Sequence, residues 1–167
     1  WPAGSGEVAK RIRTMAWDKT SLGPCDTWPQ SLKTALNLVL PAKVEMALFW
    51  GPDKLAFYND AYAPLIGDKH PQALGQPSGE YRSDLWVDIE PLLLDVWASG
   101  ETFSAQDWPF SISRLGHRTT AYFDISFSAV RDETGAVAGA LCIVNETTQR
   151  LLDEKALADR EEALRAE

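Results

Sequence analysis

Phe123, Ile125, Phe127 and Ala129 alternate with Tyr122, Asp124, Ser126 and Ser128, and no other stretch constrains the fold as much. Successive side chains on a strand point to opposite faces, so this period of two specifies a half-buried strand. Asp132-Glu133-Thr134-Gly135 then supplies turn chemistry, with Gly135 free to take positive φ. A second apolar run, Val137 to Val144, follows, and Asn145-Glu146-Thr147-Thr148 closes it. From there to Glu167 the chain is rich in Leu, Ala, Glu and Arg, which are good helix formers. A sheet whose last strand feeds a surface helix can pass a change on, which points to a sensor module.

Upstream, Val8, Ile12 and Met15 recur at helical spacing within Glu7 to Ala16. Thr27-Trp28-Pro29-Gln30 has the form of a capping box, with Thr27 as N-cap and Trp28, Leu32, Ala35, Leu36 and Val39 along one face of the helix it opens. Met46 to Trp50 is a short apolar strand, turned by Gly51-Pro52-Asp53 into a hairpin partner at Lys54 to Tyr58. Asn59-Asp60-Ala61-Tyr62 reads as a capped start to a short helix that Gly67 ends. Asp68 to Arg82 holds Pro71, Gly75, Pro77 and Gly79 and reads as loop. A longer helix is expected from Asp88 as cap, with Pro91 in its first turn and Gly100 just past its end. Phe103 to Ser113 reads as a strand and Leu115-Gly116-His117 as a turn. The order is two helices, two strands, short helices, one longer helix, three strands and an exit helix.

The 167 residues, 45% of them apolar, suffice for one domain with a substantial core. A formal charge of -8 argues against nucleic acid, which needs a basic face. No apolar run approaches the length of a membrane span, so no membrane contact by this segment is expected. Cys25 and Cys142 sit far apart in dissimilar contexts, which suits a reducing cytoplasm better than a disulfide scaffold. Trp1 to Gly6 lack an initiator Met and read as the remnant of an excision from a longer chain.

The order ββ-α-βββ resembles the PAS domain, a five-stranded antiparallel sheet with helices over one face. Four segments between Val44 and Thr148 carry the resemblance: LFWGPDKLAFYNDAY, Leu65-Ile66-Gly67, VRDETGAVAGALCIV, and Asn145 to Arg150, which is similar to the Asp-Ile-Thr-like motif leading into a signalling helix. The blocks SLGPCDTWPQSLKTAL and GDKHPQALGQP look like an N-terminal subgroup in bacterial sensor histidine kinases. The expected organisation is a helical extension over 1–43, a sensory domain over 44–148 and a linker helix over 149–167. The resemblance implies an α+β input domain, homodimeric, with a downstream kinase or other output domain and a small molecule or partner as signal. A ligand-free dimerisation module is the alternative.

The site residues follow from this. Trp50, Tyr58, Trp86, Trp97, Phe123 and Phe127 are the candidate walls of a ligand cavity between helix and sheet. Asn145, Glu146 and Thr148 are the expected signal relay, with Glu146 and Thr148 standing in for the motif's acid and hydroxyl. Val8, Ile12 and Met15, with Leu157 and Leu164 on the exit helix, are the expected dimer contacts or, for the first three, the sheet's cover. The cofactor is open. Haem is argued against because the helix from Asp88 to Ser99 offers no axial His, and LOV-type flavin because Gly79 to Asp84 has no Cys. His70 and His117 read as solvated loop residues, Cys142 as an apolar filler and Asp124 as an outward, solvated acid. Two isolated histidines give no metal pattern, and no nucleophile elbow or phosphate loop marks a catalytic residue.

Overall fold

The computed structural model describes residues 1–80, 84–114 and 116–166, without the side chains of Asp84, Leu85 and Arg114. The elements are α1 (Glu7–Thr14), α2 (Gln30–Val39), β1 (Glu45–Trp50), β2 (Leu55–Tyr58), α3 (Ala63–Ile66), α4 (Asp84–Ser99), β3 (Phe103–Arg114), β4 (His117–Arg131), β5 (Val137–Glu146) and α5 (Thr148–Arg165). The strands form one antiparallel sheet in the order β2-β1-β5-β4-β3.

The alternation in β4 divides the sheet's two faces. Ala121, Phe123, Ile125 and Phe127 are buried while Tyr122, Asp124, Ser126 and Ser128 are half-exposed. Register carries the buried set across the sheet: Phe127 lies opposite Cys142, Cys142 opposite Ala47, and Ala47 opposite Tyr58. This inner face is covered by α4, whose Ile89, Leu93 and Val96 are buried against β3, β4 and β5. Cys142 is fully buried here, and loss of water pushes its thiol pKa far up, so it packs as an apolar filler.

The outer face of β1 and β2 is covered by the N-terminal segment. Trp17 stacks on Phe57 at 5.6 Å and meets Trp28 edge-on at 4.9 Å. Both indole N–H groups are satisfied, Trp17 donating to the Ile12 carbonyl and Trp28 to that of Gly23, each at 2.8 Å. Val8 and Ile12 are buried in this same core at 1% and 0% exposure. They therefore present no surface to a second copy, and of the three residues expected at an N-terminal dimer contact only Met15 is half-exposed. Residues 1–6 join this layer: Trp1 packs edge-on against Trp28 and donates to Asn37, and Arg13 donates to the carbonyls of Pro2 and Gly4.

Helix starts differ from expectation. Thr27 does not cap α2; it lies in a 3-10 turn over Cys25–Thr27 with its hydroxyl bonded to Pro24, and Pro29, extended at ψ 147, is the N-cap. Neither N-terminal helix has a local side-chain cap. Carboxylates from the sheet domain serve instead. Asp60 accepts from the backbone N–H groups of Glu7 and Val8, and Glu133 from the N–H and hydroxyl of Ser31. Both place negative charge at the positive end of a helix dipole. α4 begins four residues before the expected cap, so Pro91 lies inside it and Asp88 instead accepts the Ser111 N–H of β3 at 3.0 Å. The expected β3–β4 turn includes Leu115, which lies outside the described residues.

The β2–α3 corner is held by Asn59, which is fully buried. Its amide N–H groups reach the carbonyls of Val39, Ala42 and Val44, and its carbonyl accepts from Met46 and Tyr62. Asn59→Ala would strand several buried backbone groups at about 1–3 kcal/mol each. The expected outcome is a loss of about 3 kcal/mol or more in urea unfolding. Asn59→Asp is expected to lose no less, because a carboxylate cannot donate to three carbonyls.

Candidate functional site

Between the inner face at β1–β2 and the segment that follows β2 lies an apolar cavity of about 40 Å³. Ala47 and Phe49 of β1 and Ala56 and Tyr58 of β2 form its floor. Tyr62, Ile66, Ala73, Ser78 and Trp86 close it. A water takes up roughly 30 Å³ in the liquid, so the cavity has room for about one.

Of the six residues expected to wall a pocket, this site brings together Tyr58 and Trp86. Phe123 and Phe127 share the inner face but pair with Phe110 and Phe103 beneath α4. Trp50 faces the other way, its ring 2.8 Å from where a Cβ on Gly139 would sit. Trp97 stacks under the Lys54 ammonium at 4.8 Å. The room comes from three alanines, Ala47, Ala56 and Ala73, all buried. A search for aromatic residues passes over them. For Ala47 and Ala56 the signal in the sequence was a small residue at an inward position of each short strand; Ala73, in the segment after β2, carried none. The segment from Gly79 to Asp84, read for a flavin-binding Cys, is described only in part, since Tyr81 to Ser83 lie outside the described residues.

The cavity's polar edge runs to the surface through a residue read as solvated. His70 is nearly buried, its side chain 14% exposed, with Nδ1 2.6 Å from the Tyr58 hydroxyl and Nε2 2.8 Å from Glu7. It is thus a link between β2 and α1 and not a solvated loop residue. Hydrogen bonds from Arg11 and then from His70 hold the Glu7 carboxyl below its ordinary pKa. Burial raises the Tyr58 phenol well above its own. An ionised Glu7 accepts only, so Nε2 carries the proton, a neutral ring leaves Nδ1 bare, and Tyr58 donates to it. His117, by contrast, is exposed at the start of β4. Among the described residues no group of His, Cys, Asp and Glu is placed to hold a metal ion.

A second cluster sits where the sheet hands over to α5. Of the three expected relay residues, Thr148 and Glu146 meet, the hydroxyl donating to the carboxylate at 2.7 Å, and the Thr148 oxygen accepts the Tyr122 N–H of β4. Asn145 is exposed opposite Asp124 in the ladder. The centre of the cluster is a residue absent from the sequence reading, Asp107. It occupies a bulge in β3 between Ala105 and Trp108, at φ 52. One oxygen of its carboxylate accepts from the Thr147 hydroxyl at 2.7 Å and from Arg150 at 2.5 Å. Its own N–H is held by Asp124 at 3.0 Å, so Asp124 acts as an acceptor rather than a free solvated acid. Thr147 also donates its backbone N–H to Tyr122. Beyond this root α5 is exposed along its length, Leu152, Leu157 and Leu164 at 56%, 59% and 63%. No helix among the described residues is long and apolar enough to cross a membrane.

No protein-family profile matches this chain, and no curated protein sequence does. Solved structures do. The PAS domain of BvgS from Bordetella pertussis aligns at TM-score 0.50 and 17% identity, over 78% of this chain and 97% of that one. A phage VqmA, solved in complex with DPO, aligns at TM-score 0.56 and 14% identity over 78% of this chain and 59% of that one. An RNA-binding light-oxygen-voltage receptor aligns at 0.52 and 18%, over 86% of this chain and 42% of that one. The chain thus spans about half the length of the latter two. At these identities the likeness establishes architecture: the chain has a PAS fold, α+β with a five-stranded antiparallel sheet.

The hydrogen-bond polarity of the Tyr58–His70–Glu7 chain is directly measurable. At pH 8, where an imidazole is neutral, ¹⁵N spectra are expected to show His70 protonated at Nε2 and bare at Nδ1. Glu7→Gln is expected to lose that preference, because an amide can donate to the ring as well as accept.

Proposed function

We propose that this chain is the sensory input domain of a signalling protein, with a histidine kinase as the output that the sequence resemblance implies. The signal is a small molecule in the cavity or a partner on the surface, and the response leaves through α5. The observation that carries this reading is the root of α5. A lone surface helix of 18 residues is marginal in water. Here its first turn is tied to two strands through Thr147, Thr148 and Arg150. A shift of β3 or β4 relative to β5 therefore changes the support of α5 directly. Coupling of about 1–3 kcal/mol, typical between linked sites, matches the scale of such a set of partly exposed bonds. The BvgS and VqmA likenesses support a domain of this architecture in signalling proteins.

Self-association belongs to the same proposal. With Val8 and Ile12 buried, the remaining expected contacts are the half-exposed Met15 and, on α5, Leu157 and Leu164, seven residues apart and exposed. A cytoplasmic setting is part of this reading, supported by two unpaired cysteines. A second reading, a dimerising module without a ligand, is favoured by how nearly filled the core is.

Two measurements test the proposal. Asp107→Asn keeps an acceptor for Thr147 but removes the charge facing Arg150. Amide exchange at Leu151 and Leu152 is expected to quicken about two- to fivefold, the scale of an exposed ion pair, with the β4 core unchanged. Unchanged exchange would remove Asp107 from the relay. Native mass spectrometry is expected to show a dimer that Leu157→Glu with Leu164→Glu converts to monomer; a dimer that survives would place the contact elsewhere.

A further inference from the structure

One imidazole joins three separate parts of the chain. Tyr58 belongs to β2 and lines the inner-face cavity, Glu7 opens α1, and His70 stands in the segment between β2 and α4. Nδ1 lies 2.6 Å from the Tyr58 hydroxyl and Nε2 lies 2.8 Å from a Glu7 carboxylate oxygen. Both ring nitrogens are therefore committed, to partners of different kinds: a carboxylate that only accepts and a phenol that can donate or accept. The side chain keeps 14% exposure, so the ring can still exchange protons with water.

The groups around the ring set what a second proton would do. α1 presents Glu7 and Arg11, and Arg11 Nε donates at 2.7 Å to the same Glu7 oxygen that His70 meets. Asp60 holds the first N–H groups of α1 beside them. β2 presents the Tyr58 phenol, and Tyr62, at the N-cap of α3, packs 5.9 Å from that ring. Asp68 and Lys69 precede His70 in its own segment. Hydrogen bonds from Arg11 and then His70 hold Glu7 ionised, and burial keeps Tyr58 protonated. An imidazole ordinarily changes charge between about pH 5 and 8, where these two partners keep theirs.

In the neutral ring, Tyr58 donates to a bare Nδ1. A protonated ring carries a hydrogen on each nitrogen, so two protons would meet along one 2.6 Å line unless that of Tyr58 turns away. The hydroxyl must then reverse from donor to acceptor. At the other end, the bond to Glu7 becomes an ion pair. We propose that His70 is a pH-sensitive clasp between α1 and the sheet, in which protonation reverses the Tyr58 hydrogen bond and charges the Glu7 contact. The change enters β2 opposite Ala47 of β1, so it acts first on the cavity floor. This goes beyond the sensory reading above and does not depend on α5 carrying the response.

The test is an NMR titration of the whole chain from about pH 8 to about pH 5, following the His70 ring nitrogens and the amides of Glu7 to Arg11 and Phe57 to Asn59. Nδ1 is expected to gain a proton, with both sets of amides shifting at the midpoint of the ring. His70→Gln should abolish both amide titrations, whereas His117→Gln should leave them, since His117 is exposed at the start of β4. Tyr58→Phe removes the hydroxyl and should abolish the titration at Phe57 to Asn59 while that at Glu7 to Arg11 persists. A His70 ring that stays neutral down to pH 5 in the unaltered chain overturns the proposal. So do amide titrations that survive His70→Gln, or a response at Phe57 to Asn59 undiminished in Tyr58→Phe.

Discussion

The fold depends on one buried amide. Asn59 bonds to the end of α2, the entry to β1 and the start of α3 at once, from a side chain with no exposure. Its neighbour Asp60 points outward and caps α1. Two adjacent residues thus set what lies on either side of the sheet, the cavity's closing segment within and the N-terminal cover without. The amide and the carboxylate are not interchangeable. Asn59 must both donate and accept in a dry site, whereas Asp60 must only accept beside a helix's positive end.

The N-terminal helices belong energetically to the sheet domain even though sequence order sets them apart. Their apolar faces share its core, their aromatic residues stack on Phe57, and their caps are acids from distant loops. Such an arrangement makes folding of α1 and α2 conditional on the sheet. A short helix with no cap of its own has little stability alone, and the capping bond forms only once Asp60 or Glu133 is in place. The cover also takes the outer face of β1 and β2 out of contact with any other molecule. What remains available for association is α5 and the half-exposed outer face of β4 and β5.

The succession of elements, the two hairpins and the inward set of β4 were legible in the sequence because each depends on local periodicity or turn residues; the place of β1 beside β5 was not. Asn59 was legible as part of a motif. Features that depend on residues far apart in the chain were not. Thr27 and Gln30 have capping-box spacing, but Pro29 holds Trp28 in extended backbone, and the cap comes from Glu133, 102 residues from Ser31. Asp107 sits in a run that reads as plain strand, and only its pairing with β4 reveals the extra residue and the positive φ. His70 lies in a Gly- and Pro-rich loop whose composition signals solvent, while its contacts come from β2 and α1. The cavity escaped notice for a simpler reason: space is created by what is small, and attention to tryptophans finds what fills it.

The geometry also says which parts can move together. The cavity's floor is β1 and β2, and the root of α5 rests on β3, β4 and the end of β5. Between them runs a continuous ladder, with Ala47 opposite Cys142 and Val144 opposite Ile125. A packed, fully hydrogen-bonded sheet transmits displacement poorly through side chains that have no second arrangement. It can, however, slide or twist as strands, and the bulge at Asp107 is where β3 already departs from regular pairing. Asp124 fixes one side of that bulge and Thr147 with Arg150 the other. A change in twist between β3 and β4 at the bulge would act on these bonds. In the proposed reading, the handover at residues 146–150 is where such a change reaches the exposed helix beyond it.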